Sequence, residues 1–114
     1  MPEPDLPHAY IVTATLPDSQ TADRYLRWLT EGGHLADVLR HGALSAQVIR
    51  LDDAGPAPVL ETRYLFPNQD RLNTYIREHA PALRAQGLSL FPPSSGVVFH
   101  RRSGPVLAQI HTSP

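Results

Sequence analysis

The sequence predicts an α+β fold in which two kinked helices cover one face of a four-stranded antiparallel sheet, in the order β-α-β-β-α-β. Three observations carry this. Four stretches rich in β-branched and aromatic residues are separated by clusters of Pro, Gly and Asp. Two of the intervening segments place apolar residues at i, i+3, i+4 and i+7, the spacing of one helix face. The two halves also echo each other: YLRWLTEGGHLADVLRHG and YIREHAPALRAQG share a Tyr-apolar-Arg start, a central Glu and His, and a Leu-Arg finish before Gly. Each helix solves the same problem of lying on a sheet and then turning into a strand, which is the ferredoxin-like arrangement of two β-α-β halves.

Residues 1–7 hold three prolines and no apolar periodicity, so they are expected to form a loose arm before a single domain over residues 8–111, with 112–114 as a tail. Residues 8–16, HAYIVTATL, read as strand one, with Tyr10, Val12, Ala14 and Leu16 on one face and Ile11, Thr13 and Thr15 on the other. Asp18 or Ser19 then caps the first helix, whose stripe is Ala22, Tyr25, Leu26 and Leu29. Gly32 and Gly33 break it, and a short second piece over residues 34–41 presents Leu35, Val38 and Leu39 before Gly42 ends it as a left-handed cap. Strands two and three cover residues 44–52 and 59–66. The DDAGPAP connection between them is loop-like, and the pairing should be antiparallel. Asn68 caps the second helix, with Asp70 in its first turn and Leu72, Tyr75, Ile76 and His79 as its stripe. Pro81 kinks it and opens a fresh turn over residues 82–86 that Gly87 caps. Strand four runs over residues 97–102, and 106–110 continue it past a bulge at Ser103, Gly104 and Pro105.

Composition narrows the chemistry. The chain has 114 residues and 41% apolar content, which suits one core, and no window approaches the roughly 18 apolar residues of a membrane span. Glu3 and Asp5 stand where a secretory signal would be basic, so a soluble, cytoplasmic protein is expected. Cysteine is absent, which removes disulfides, thiolate metal sites and thiol nucleophiles. All ten basic residues are arginine, so Schiff-base chemistry on lysine is excluded. They are dispersed along a chain of net charge −1, which gives no footprint for nucleic acid.

No Gly-rich phosphate loop, nucleophile elbow, paired-carboxylate motif or zinc-type His pair is present, so neither a metal nor a cofactor is expected. Six histidines remain to be placed. His34 and His79 fall at comparable points of the two helices and His100 lies on the last strand, an arrangement that would let the three converge between helices and sheet. The alternative is that His34 and His79 bond locally where the helix kinks free backbone carbonyls. Trp28, Tyr25, Tyr64 and Tyr75 could line an aromatic pocket, but Tyr25 and Tyr75 belong to the core stripes, which leaves Trp28 as the better pocket candidate. Arg63 and Arg101 face the helices or the open side of the sheet according to strand phase. Glu61 shares a face with Arg63 and favours a structural ion pair over anion recognition.

The segments RWLTEGGHLADVLRHGALSAQVIRL, RYLFPNQDRLNTY and YIREHAPALRAQGLSLFP resemble the bacterial domain-of-unknown-function family 4286, most specifically at EHAP, residues 78–81. Where that family has a Glu-His-Ile-Pro-like stretch in its first helix, this chain has Glu31, Gly32, Gly33 and His34. The resemblance implies a relation to the dimeric α/β barrels, a group that includes cofactor-independent monooxygenases, haem-degrading enzymes, small isomerases and proteins without known chemistry. Fold analogy of this kind does not assign function. It does give a use to the sheet's bare face, where Ile11, Thr13, Val48 or Ile49, and Leu65 are too apolar for water, so a homodimer through that face is expected.

Two functional readings follow. The first is a homodimeric α/β-barrel module binding a small molecule or a protein partner, with Trp28, His34, Arg63, Tyr64 and His79 as candidate ligand-binding residues. The second is a small enzyme of cofactor-independent monooxygenase or isomerase type, in whose helix–sheet pocket Trp28, His34, Tyr64 and His100 orient substrate and move a proton. His34, His100 and Tyr64 are its candidate catalytic residues.

Overall fold

The computed structural model describes residues 6–53 and 55–112; most of the expected arm and the end of the expected tail lie outside the described residues. The element order is β1 (His8–Thr15), α1 (Ser19–Thr30), α2 (His34–Arg40), β2 (Ser45–Arg50), β3 (Val59–Phe66), α3 (Gln69–Glu78), α4 (Ala80–Leu90), a 3-10 turn (Pro93–Ser95) and β4 (Val98–Pro105). The strands lie in the order β2-β3-β1-β4, and every neighbouring pair is antiparallel. This is the ferredoxin-like βαββαβ fold, with each helical segment broken in two.

Both breaks have local causes. The Asp18 carboxylate accepts from the Thr21 amide at 2.7 Å and starts α1, and Asn68 Oδ1 accepts from the Arg71 amide at 2.9 Å and starts α3. After α1 the chain passes Gly32, where a Cβ would stand 2.6 Å from the Trp28 carbonyl oxygen, and then Gly33 at φ 82°, so neither position tolerates a larger residue without strain. α3 stops at His79 because Pro81 sits in the first turn of α4, where its missing N–H costs nothing. Unlike the expected short turn, α4 runs on to Leu90, and Gly87 is a buried residue inside it.

The stripes land on the sheet. Ala22, Tyr25 and Leu29 of α1, and Leu72 and Tyr75 of α3, are buried against Tyr10, Ala14, Leu60, Tyr64 and Phe66. Leu26, expected in the first stripe, points outward at 40% exposure, and Trp28 turns inward in its place. The register fixes the strand faces. Tyr10 pairs with Tyr64 and with Ser103, and Val12 with Thr62 and Arg101, so Phe99, Arg101 and Ser103 share the covered face. β4 stays paired with β1 through Pro105, without the bulge expected at residues 103–105, and residues 107–112 form no strand.

Among the described residues no helix covers the opposite face of the sheet. It carries Ile11, Thr13, Ile49 and Leu65, whereas Val48 belongs to the helix side. At its centre Glu61 accepts from Arg63 Nε at 2.7 Å and lies 3.5 Å from Arg102 Nη2. Two guanidiniums fold over this carboxylate, which is why it is only 6% exposed on an open face. No helix among the described residues is long and apolar enough to cross a membrane.

Candidate functional site

The kinks leave a pocket between helices and sheet. α1 supplies Tyr25 and Trp28, α2 supplies His34, α3 supplies Tyr75, α4 supplies Arg84 and Gly87, and the sheet supplies Tyr10, Tyr64, Phe99 and Arg101. The break at Gly32 and Gly33 puts His34 at the start of α2, where its imidazole stacks on the Trp28 indole at 4.2 Å and 24°. Trp28 can lie that deep because Gly87 has no side chain: a Cβ there would be 3.1 Å from the edge of the indole. Tyr10 stacks on Tyr64 and meets Tyr75 edge-on, both at 6.1 Å between ring centres.

Burial sets the protonation states. It presses His34 down from 6.5 to about 4, and the Arg101 charge adds to the effect, so the imidazole is neutral at pH 7. Burial lifts the Tyr25 and Tyr75 phenols to about 12, and drives Tyr64 higher still, with the neighbouring tyrosines reinforcing it. The site thus holds protonated phenols and one neutral base. The His34 Nδ1 is buried without a partner, as is Arg84 Nε, although Arg84 Nη2 donates to the Tyr10 hydroxyl at 3.0 Å. The Arg101 guanidinium lies over the Phe99 ring at 5.4 Å. Among the described residues no group of three or more His, Asp or Glu is placed to hold a metal.

The free volume of the pocket is about 50 Å³. A cavity that accepts a single benzene-sized ring measures about 150 Å³. A ring therefore enters only if part of the wall moves. Trp28 is one half-buried part of that wall, and it also lines a surface groove with Arg24, Arg27 and Phe91.

Of the six candidate binding and catalytic residues, Trp28, His34 and Tyr64 come together here. The other three do not. His100 pairs with Thr13 on the open face, because β4 alternates in phase with Arg101 inward. Arg63 is on that open face too, bound to Glu61. His79 stacks on His41 at 3.8 Å and 13°, away from the pocket lining, so His34, His79 and His100 do not converge. Tyr25 and Tyr75 serve the core and the pocket at once. Arg101 could have been placed by letting Phe99, an apolar residue of the same strand parity, define the inward face. Arg84 leaves no such trace, because its neighbours Leu83 and Gly87 are equally consistent with a plain core helix.

No protein-family model matches the chain, and no curated protein matches it. Solved structures do. A dimeric ferredoxin-like protein from an uncultured marine organism superposes with a TM-score of 0.78 at 10% identity, covering 93% of this chain and 100% of that one. A monooxygenase of Streptomyces coelicolor in complex with the ligand nanaomycin D superposes with a TM-score of 0.68 at 15% identity, covering 97% and 96%. A cofactor-independent oxygenase of Streptomyces nogalater gives 0.53 at 12% identity, covering 93% and 96%. At these identities the likeness establishes the fold alone.

Proposed function

We propose that this chain is a homodimeric α/β-barrel module that takes a small aromatic molecule into the pocket between its helices and sheet. The observation that carries this is the meeting of four phenols, one indole and a neutral imidazole around one pocket. Rings give an aromatic guest stacking surface, and the hydroxyls and ring nitrogen orient its polar groups. A structural neighbour in complex with nanaomycin D supports the reading, as does a neighbour that is a dimeric ferredoxin-like protein. Ile11, Ile49 and Leu65 supply the apolar surface for face-to-face dimerisation, around a charge cluster already satisfied within each protomer.

A second reading is favoured by one feature. The unpartnered ring nitrogen of a neutral His34 is suited to accept a hydrogen bond from a bound phenol, and the Arg84 and Arg101 cations would steady negative charge developing on its oxygen. In that reading the module is a small enzyme of monooxygenase or isomerase type, with His34 orienting the substrate hydroxyl.

Two measurements test the proposal. Phenol added to the protein should perturb the NMR signals of Trp28, His34 and Tyr64, and a protein in which only surface signals move has no such pocket. Sedimentation should give a dimer that Ile11→Glu converts to monomer. The new carboxylate sits beside Arg63 and Arg102 within its own sheet, so the subunit keeps its fold. A wild-type monomer at micromolar concentration refutes the dimer.

A further inference from the structure

The charge balance of the pocket is one-sided. Arg84 and Arg101 both line it, and among the described residues neither has a carboxylate within ion-pair distance. The other inward-facing titratable groups are His34, which is neutral, and the tyrosines, of which Tyr25, Tyr64 and Tyr75 are held protonated by burial. Arg84 is the telling residue. It is half-buried, one of its donors is engaged by Tyr10, and its Nε–H is buried with nothing to receive it. A buried guanidinium donor left without an acceptor is costly, and folded proteins rarely leave one unless water or a ligand completes it. Across the sheet the contrast is plain, since Arg63 and Arg102 share Glu61.

Resting on the proposed aromatic pocket, we infer that its ligand is an aromatic acid whose carboxylate is received between Arg84 and Arg101 while its ring lies against Trp28 and the tyrosines. A carboxylate presents two oxygens, which suits a guanidinium fork better than a neutral carbonyl does. His34 serves the selection by being neutral: a third cation there would hold the arginines apart, and a carboxylate in its place would cancel them.

Benzoate and benzamide separate this from the pocket reading, because they share shape and differ in charge. NMR titration at pH 7 and low salt should show benzoate binding at least tenfold tighter than benzamide to the wild-type protein. Arg101→Gln and Arg84→Gln should each erode that ratio, and together bring it to about one. Arg71→Gln, an exposed change of equal charge on α3, should leave the ratio intact. If Arg84→Gln does not fold, Arg101→Gln alone decides, since its side chain is at the exposed mouth. Equal binding of the two probes to wild type, or a ratio that survives in the arginine variants, overturns the inference and leaves an aromatic pocket. Binding of neither probe overturns the pocket itself.

Discussion

Acidification is the perturbation that most directly reads the site. His34 is neutral in the folded protein and titrates at about 4, against 6.5 for a free imidazole. Between those values the unfolded chain takes up a proton that the native site refuses, so stability must fall as pH falls from 6.5 towards 4 and level off below. A displacement of this size corresponds to a ceiling of about 3 kcal/mol, which solvent screening of a half-buried ring reduces to about 1–2 kcal/mol. The assay is urea unfolding at fixed protein concentration from pH 7 to pH 4.5, followed by the emission of Trp28, the only tryptophan in the chain. His34→Gln supplies the reference, because every other titratable group is common to both proteins and cancels in the difference. Wild type should lose about 1–2 kcal/mol more than the variant over that range. Arg101→Gln should shrink the loss only in part, since burial is the larger cause and the Arg101 charge the smaller. Parallel pH profiles for wild type and His34→Gln would refute the burial argument.

Other expectations test the frame around the pocket. Gly87→Ala would ordinarily steady a helix interior by up to about 1 kcal/mol. Here the new methyl meets the Trp28 indole, so the gain in urea midpoint should be absent and the Trp28 emission should shift. Asn68→Ala removes the acceptor for the Arg71 amide and should cost about 1 kcal/mol by thermal unfolding, with the pocket unaffected. Leu29→Ala empties a fully buried position beneath α1, and denaturant titration should show a loss of about 2–5 kcal/mol.

Much of the architecture was readable because periodicity is a local property. Alternation in residues 8–16 and 59–66 separated inward Tyr10 and Tyr64 from outward Ile11 and Leu65, and the i, i+3, i+7 pattern of Ala22, Tyr25 and Leu29 marked the buried side of α1. Pro81 and the pair Gly32 and Gly33 announced both helix breaks, since their backbone restrictions act within a turn. What local pattern did not carry was the behaviour of residues whose surroundings come from elsewhere. Leu26 fits the stripe by spacing yet lies outside it, because the inward position it would compete for is filled by Trp28. Gly87 looks like a helix end, and only the indole lying over it explains a glycine inside α4.

The candidate site shows the same division more sharply. The amino-acid order alone determined the element sequence, the identity of the two apolar helix faces, and the presence of Trp28, His34 and Tyr64 as unusual residues to be placed. Tertiary structure decided that Arg101 faces inward and His100 outward, for the phase of β4 is set by its hydrogen-bond register against β1. It also decided that His34 meets Trp28 while His79 meets His41, because each partner is brought in by a different segment of chain. A side chain's direction follows from its own strand or helix, whereas its electrostatic surroundings are assembled from distant segments that meet only when the fold closes.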